Sequence, residues 1–181
     1  MNETNRKLLI LDLDETLVYS RTTRLDRKED FKVDRYYVYK RPSLNNFLKF
    51  CFKNFFVSVW TSSSSDYASL IVKNIFTDPS KLKFVWNRER CTQRYSLDWG
   101  NYYWIKNLKK VKRIGFDLNS VIMIDDSPKK LEKNYGNHII INPYYGTIGD
   151  NELEFLEKYL ITLKNVSNVR EIEKRDWKAS I

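Results

Sequence analysis

The sequence is poor in the residues that build disulfide frameworks, zinc sites and membrane spans. Its 181 residues include two cysteines and one histidine. Two cysteines cannot supply a disulfide framework or a zinc quartet, so we expect reduced thiols inside a cell. No apolar run approaches the roughly 20 residues that cross a bilayer, and Met1–Lys7 lacks the apolar core of a signal peptide. We therefore expect a soluble intracellular monomer, nuclear or cytoplasmic, without a membrane partner.

Several common catalytic patterns are absent as well. The sequence has no glycine-rich P-loop and no Gly-x-Ser-x-Gly elbow. A serine–histidine triad would have to recruit His138, the single histidine, which we interpret as structural. These absences argue against a P-loop nucleotide hydrolase and against a serine hydrolase.

The bulk composition indicates one folded, basic domain. A hydrophobic content of 42% with 15% aromatic residues is typical of a folded globule. The length suits a single domain over residues 1–181, with a catalytic core at about 6–164 and a basic tail at 165–181. A net charge of +9 favours an acidic partner: a phosphopeptide, a nucleic acid or an anionic surface.

Two carboxylates follow an apolar run near the amino terminus. Leu8–Leu11 is apolar at successive positions, which predicts a strand buried on both faces of a parallel sheet. Asp12 and Asp14 come directly after it, with Thr16 two residues further on. Burying a charge is costly unless the charge is paired or binds a metal. The pattern therefore indicates a bound cation rather than a solvated acidic loop.

Two later apolar runs also end in polar groups. Phe56–Trp60 is followed by Thr61 and four serines, and Ser120–Ile124 is followed by Asp125 and Asp126. Ligands bind beyond the carboxyl ends of the strands in open α/β sheets, so we expect these groups to converge. Their oxygen atoms suit a hard cation, and Mg²⁺ takes one or two carboxylates together with substrate phosphate.

The remaining elements follow from periodicity. The pattern predicts further strands in Phe31–Lys40, Leu82–Trp86 and His138–Ile141, and helices after Arg41-Pro42-Ser43, from near Asp66, in Ile105–Ile114 and in Asn151–Leu163. Asn87–Trp104 looks irregular, charged and aromatic, with Trp99 among its rings. It either packs a small cluster of its own or forms a wall that grips a peptide. The tail is either a last helix or loosely held.

The motifs resemble one known family in order and spacing. Asp12-Leu-Asp-Glu-Thr-Leu-Val matches the Asp-x-Asp-x-Thr motif of the haloacid dehalogenase superfamily. Four later segments extend the match: Lys40-Arg-Pro-Ser, Val59-Trp-Thr-Ser-Ser, Ile105-Lys-Asn-Leu and Ile124-Asp-Asp-Ser-Pro. Together they resemble the phosphatases of the RNA polymerase II C-terminal domain, the small CTD phosphatase or NLI-interacting factor-like family. The resemblance implies a Rossmann-like α/β fold with a central parallel sheet, helices on both faces, no large cap and small β or aromatic insertions.

The resemblance also implies roles for individual residues. Asp12 would be the nucleophile that forms an aspartyl-phosphate. Asp14 would protonate the leaving oxygen and then deprotonate water, which requires a raised pKa near neutrality. Thr61 and Lys106 would bind the phosphoryl oxygens, together with Ser62 in the serine-rich turn.

A Mg²⁺ site is implied in the same way. The Asp12 carboxylate, the Asp14 carbonyl and the Asp126 side chain would hold the ion, with Asp125 in support. Close relatives usually have asparagine where this chain has Asp126. An extra carboxylate would bind Mg²⁺ more strongly and would also repel the incoming phosphate.

The short insertions bear on the substrate. Leu17–Tyr39 and Thr77–Ile105 are too short for a full cap domain, so an open site would accept a phosphate on a protein or a polynucleotide. We expect a Mg²⁺-dependent phosphatase of phosphoserine and phosphothreonine in proteins, with the polymerase C-terminal domain as one candidate substrate. The alternatives are a polynucleotide 3′-phosphatase and a non-catalytic phosphopeptide-binding module.

Four residues are candidates for substrate contact. The rings of Tyr102 and Tyr103 could receive an apolar or proline side chain beside the phosphoserine, and Arg94 could meet acidic flanking residues. Tyr67, in the helix after the serine run, completes the set.

Overall fold

A five-stranded parallel sheet forms the centre of the computed structural model, which describes residues 6–98 and 100–181. Trp99 and the first five residues lie outside the described part. The strands are β1 Leu8–Leu11, β2 Val18–Arg21, β3 Phe31–Val33, β4 Tyr36–Lys40, β5 Phe56–Trp60, β6 Val85–Trp86, β7 Thr92–Ser96, β8 Asn101–Ile105, β9 Val121–Asp125 and β10 His138–Ile140. The helices are α1 Leu44–Asn54, α2 Ser65–Ile75, α3 Lys109–Arg113 and α4 Glu152–Leu163.

The central sheet has the order β10-β9-β1-β5-β6, and β1 lies in its middle. Leu8 pairs with Phe56 on one side and with Val121 on the other. Leu9 and Leu11 pack into a core with α1, α2 and α4, whereas Leu8 and Ile10 pack into a second core with α3. The sheet therefore carries helices on both faces, and the α/β fold expected from the sequence is confirmed. No helix in the described ranges has the length and apolar character needed to cross a membrane.

Two small antiparallel sheets form in the insertions that are too short for a cap domain. The first has the order β2-β4-β3 and includes the strands predicted in Phe31–Lys40. The second is the β7-β8 hairpin, which pairs Thr92 with Ile105 and Ser96 with Asn101. The hairpin corrects the expectation of an irregular segment. Its turn includes Gly100 at φ +60°, a conformation that glycine adopts readily.

Some predicted boundaries are wrong at one end. The helical pattern of Ile105–Ile114 becomes a helix only at Lys109, because Ile105 completes β8 and the Asn107 side chain accepts a hydrogen bond from the Lys109 N–H at 3.1 Å. Lys106 consequently lies between a strand and a helix. The strand predicted at Leu82–Trp86 is reduced to Val85–Trp86.

The segment after α4 packs against the core through two short 3₁₀ turns rather than a helix. Val169 and Trp177 are buried in the core that contains α1 and α4. The Trp177 indole donates to the Ile140 carbonyl at 2.8 Å, which ties the segment to β10. The buried Lys174 ammonium donates to the carbonyls of Gly136 and Ile172 at 2.8 and 2.7 Å.

Candidate active site

The carboxyl ends of the central strands bring Asp12 and Asp125 side by side. Asp12 follows β1 and Asp125 ends β9, the neighbouring strand, and both side chains are almost completely buried. The Lys106 ammonium, also buried, lies 2.8 Å from Asp12 Oδ1 and 2.6 Å from Asp125 Oδ2. Burial alone would raise the pKa of Asp125, but Lys106 and Lys130 outweigh it and lower the pKa to about 2. Asp125 is therefore ionised at neutral pH.

A second cation in the cluster, Lys130, was not anticipated. Its Nζ lies 2.8 Å from Asp12 Oδ2, 3.3 Å from Asp125 Oδ1 and 3.5 Å from Asp126 Oδ1. Burial would lower its pKa, but the three carboxylates outweigh that effect and raise it. One feature of the sequence could have indicated it: Lys130 follows Asp126 by four residues, and Pro128 between them begins a 3₁₀ turn. Spacing of that kind brings opposite charges together in helical turns.

Three carboxylates form a set that could hold a cation. Asp12, Asp125 and Asp126 each offer one oxygen, and the three oxygens lie within 4.8 Å of one another. Asp126 Oδ1 is buried and accepts no hydrogen bond from the described residues. Burial raises the pKa of Asp126 to about 6, although Lys130 opposes this. Oxygen ligands at this spacing fit Mg²⁺, so the residues present match the ion that the sequence predicts.

Asp14 occupies a different environment from this cluster. The Ser63 hydroxyl donates to its Oδ2 at 2.6 Å, and the Tyr67 hydroxyl donates to its Oδ1 at 2.5 Å. The Ser20 hydroxyl, 2.6 Å from the Tyr67 oxygen, completes the chain. Burial raises the pKa of Asp14, and the hydrogen bonds from Ser63 and Tyr67 only partly oppose it. A carboxyl group with a raised pKa is suited to proton transfer near neutrality.

Glu15, next to Asp14, is a further acidic group that sequence reasoning did not select. Its backbone lies in the left-handed region at φ 56°, which is uncommon for a residue with a side chain. Burial and the neighbouring Asp14 raise the pKa of Glu15 to about 7. Such a conformation in the turn that carries Asp14 indicates that tertiary contacts fix the turn.

The serine-rich turn begins α2 beside the carboxylates. Thr61 is buried, and its hydroxyl accepts a hydrogen bond from the Ser63 N–H at 3.1 Å. Ser62, Ser63 and Ser64 line the crevice above the carboxylates, and α2 starts immediately after them. The first turn of a helix presents unpaired N–H groups and a positive dipole, so this end of α2 suits an anion.

The crevice itself has a volume of about 470 Å³. It is lined by acidic, hydroxyl, aromatic and basic side chains: Asp12, Asp14, Glu15, Ser20, Tyr36, Ser62, Ser63, Ser64, Tyr67, Arg88 and Lys130. Of the four predicted substrate contacts, Tyr67 is among these residues. The other three, Arg94, Tyr102 and Tyr103, lie on the β7-β8 hairpin outside this lining.

The sequence matches a known family over most of its length. The family model described as "NLI interacting factor-like phosphatase" covers residues 7–170. The chain belongs to this family of phosphatases. The resemblance drawn from the motifs is therefore confirmed.

Relatives of the family confirm the match. A putative CTD phosphatase-like protein of Invertebrate iridescent virus 3 is 32% identical over 186 residues, covering 91% of this chain and all of the relative. CTD nuclear envelope phosphatase 1B of Danio rerio is 31% identical, covering 97% of this chain and 74% of its own length. The structure of fission yeast RNA polymerase II CTD phosphatase Fcp1 bound to beryllium fluoride gives a TM-score of 0.61 at 18% identity, over 92% of this chain and 53% of Fcp1. That structural likeness supports the fold.

The hairpin extends the crevice of this family member along one side. A second cavity of about 390 Å³ shares Ser64 and Arg88 with the crevice and reaches Trp104 on β8. Alternate residues of a strand share a face, so Tyr102 lies on the same face as Trp104. Tyr102 is 66% exposed and packs edge-on against Tyr95 at 5.0 Å, so the hairpin does have a small aromatic cluster.

Tyr103 points to the opposite face of the hairpin. Its hydroxyl lies 3.3 Å from a carboxylate oxygen of Glu132, and the Lys129 ammonium lies 4.5 Å from its ring centroid. Arg94, directly opposite Tyr103 in the ladder, shares that face. The two faces can therefore be tested separately as contacts to a bound peptide.

His138 supports the cluster without joining it. The ring is buried, and its Nε2 lies 3.0 Å from the Asp125 carbonyl oxygen. Because a carbonyl only accepts hydrogen bonds, Nε2 carries the hydrogen. Burial lowers the pKa of His138, although Asp125 opposes this, so the ring is held neutral.

Proposed function

We propose that the chain is a Mg²⁺-dependent phosphoprotein phosphatase that hydrolyses phosphoserine and phosphothreonine through an aspartyl-phosphate on Asp12. One observation carries the proposal: a buried Asp12 carboxylate, paired with Lys106 and Lys130, lines the same crevice as a carboxyl group of raised pKa, Asp14. A nucleophile and a proton donor in one anion-binding crevice are the minimum for this chemistry.

The reaction has two displacements. The Asp12 carboxylate attacks phosphorus and the bond from phosphorus to the seryl oxygen breaks, while Asp14 gives its proton to that oxygen. Asp14 then removes a proton from water, which attacks phosphorus and releases inorganic phosphate and the free Asp12 carboxylate. Lys106, Ser62 in the serine-rich turn and the amino-terminal end of α2 stabilise the charge on the transferred group. Asp12, Asp125 and Asp126 would hold a Mg²⁺ ion, which would supply further Lewis-acid stabilisation.

The walls of the crevice favour a phosphate carried on a protein. Tyr36 of the β2-β4-β3 sheet and Arg88 both line the crevice, and the Arg88 Nε donates to the Ser62 carbonyl at 2.7 Å. Aromatic and guanidinium groups beside a phosphate site can bind a phosphorylated side chain and its neighbours. Fission yeast Fcp1, which is named as an RNA polymerase II CTD phosphatase, makes that polymerase domain one candidate substrate.

We propose that the hairpin contacts the residues that flank the phosphorylated residue of the substrate. Tyr67 contacts the phosphorylated residue, and the face with Tyr102 or the face with Arg94 and Tyr103 contacts the residues beside it. Tyr102→Ala and Tyr103→Ala separate the two faces. The variant on the contacting face should raise KM for a phosphopeptide and leave hydrolysis of p-nitrophenyl phosphate unchanged. Equal losses on both substrates would show that these residues only support the fold.

The test of the function compares Asp12→Asn with Asp26→Asn, an exposed aspartate outside the crevice lining that controls for the lost charge. Turnover of phosphoserine peptide with MgCl₂ should fall by more than about 10³-fold in the first variant and stay unchanged in the second. Borohydride trapping during turnover should label Asp12. Unchanged turnover in Asp12→Asn would refute the nucleophile. Faster hydrolysis of a 3′-phosphorylated oligonucleotide than of any phosphopeptide would refute the substrate class.

A further inference from the structure

Two lysines share the carboxylates of the cluster between them. Lys106 forms ion pairs with Asp12 Oδ1 and Asp125 Oδ2. Lys130 forms ion pairs with the other oxygen of each carboxylate and with Asp126 Oδ1. The backbone joins the two lysines as well, because the Lys106 N–H donates to the Lys130 carbonyl at 2.6 Å. Three carboxylates thus face two ammonium groups.

The Lys130 ammonium fills the space between the carboxylates that could bind a metal. It lies 2.8–3.5 Å from one oxygen of each of Asp12, Asp125 and Asp126. A Mg²⁺ ion needs its ligands at about 2.0–2.1 Å. An ammonium at ion-pair distance from the same three carboxylates lies where such an ion would bind, so the two cations cannot occupy the site together.

The surroundings of the two lysines determine which one can leave. The Lys106 side chain is completely buried, whereas the Lys130 side chain is 20% exposed and lines the crevice. Lys130 projects from the 3₁₀ turn Pro128–Leu131, and Lys106 from the join between β8 and α3. Of these two lysines, Lys130 is therefore the one whose ammonium can move from the carboxylates into the crevice.

We propose that Lys130 is the resident counter-ion of the carboxylate cluster, and that a divalent cation binds only as the Lys130 ammonium moves out into the crevice. Lys130 therefore stabilises the fold of the metal-free protein and lowers its affinity for a divalent cation. This inference rests on the divalent-cation site of the proposed function, but it does not depend on turnover.

The test measures metal affinity and stability in the full chain. Lys130→Met removes the charge and keeps most of the side-chain volume, and Lys133→Met, an exposed lysine three residues later, is the control for net charge. Calorimetric titration with MgCl₂ and with MnCl₂ should show at least about tenfold tighter binding to Lys130→Met, because an opposing charge at contact distance is removed. In EDTA, the same variant should unfold at a lower temperature than the wild type, and MgCl₂ should raise its Tm by more. Lys133→Met should match the wild type in every measurement.

Two results would overturn the proposal. One is unchanged or weaker metal binding by Lys130→Met, which would make Lys130 neutral or helpful to the metal site. The other comes from the wild type alone: in crystals grown with MgCl₂, Lys130 Nζ should have left Asp126 while Lys106 stays in place. Retention of the Lys130 contacts beside a bound ion would refute the exchange even if Lys130→Met failed to fold. If the wild type binds Mg²⁺ as expected but does not hydrolyse phosphopeptide, that result would count against the proposed function and not against the cation exchange.

Discussion

Arg41 forms a buried ion pair whose loss should strongly destabilise the fold. Its side chain is fully buried, and its guanidinium meets the Asp150 carboxylate in a two-pronged contact, with Nε at 2.7 Å and Nη2 at 2.8 Å. Nη1 donates to the Thr16 carbonyl at 3.0 Å and Nη2 to the Asn142 carbonyl at 2.8 Å. The group therefore joins the turn that follows β1 to the segment between β10 and α4.

The expected cost follows from these contacts. Arg41→Met leaves Asp150 without its cation, and it removes the donors to the buried Thr16 carbonyl and the partly buried Asn142 carbonyl. Removing one partner of a buried pair typically costs about 3–5 kcal/mol. In a chain of this size, each kcal/mol lowers Tm by about 2–4 °C, so a loss of about 4 kcal/mol lowers Tm by about 8–16 °C. Arg41→Lys should recover only part of this, because a lysine cannot reproduce the planar fork.

Urea unfolding and thermal scans measure this cost directly. Arg24→Met is the control, because Arg24 forms a partly exposed pair with Glu29 at 2.8 Å. Its loss should change the free energy of unfolding by no more than about 1 kcal/mol. A double-mutant cycle with Asp150→Asn should assign much of the Arg41 effect to their coupling. If Arg41→Met unfolds at the same urea concentration as Arg24→Met, the reasoning is wrong.

Three further predictions concern proton transfer and stability. Tyr67→Phe removes a hydrogen bond that lowers the Asp14 pKa, so the alkaline limb of the kcat/KM profile should move to higher pH; an unmoved limb would contradict Asp14 as the acid. His138, the single histidine, should titrate below its ordinary pKa of 6.5 in an NMR titration. Because protonation is then costlier in the folded state, the free energy of unfolding should fall as pH drops below 6.5, and His138→Gln should lose that part of the slope. Trp177→Ala should cost about 3–5 kcal/mol in urea unfolding; a cost below about 0.5 kcal/mol, typical of a surface change, would show that the tail does not stabilise the core.

The buried parallel strands were readable from sequence because burial on both faces leaves a continuous apolar run. Leu8–Leu11 and Phe56–Trp60 coincide with β1 and β5. Parallel pairing then places Asp12 and Asp125 at the same edge of the sheet, so the convergence of acids followed from the pattern. The hairpin was harder to predict, since charged and aromatic side chains obscure the alternation when neither face is fully buried.

Contacts between distant segments had no signal in the sequence. Arg41 and Asp150 are 109 positions apart, and Lys130 and Asp12 are 118 apart. The motif Lys40-Arg-Pro marked Arg41 as a family feature but gave no physical reason for it. That reason is the bidentate pair with Asp150, which exists only once the sheet has brought the two segments together.

The aspartate at position 126 can now be interpreted through its neighbour. From the sequence, an extra carboxylate in place of asparagine is expected both to strengthen Mg²⁺ binding and to repel phosphate. The structure places the Lys130 ammonium 3.5 Å from Asp126 Oδ1, so the added negative charge comes with a positive one. If a bound metal displaces that ammonium into the crevice, the same lysine then faces the site of the incoming phosphate. Lys130 would in this way neutralise the charge of Asp126 before metal binding. After metal binding, it would offset the repulsion between Asp126 and the phosphate of the substrate.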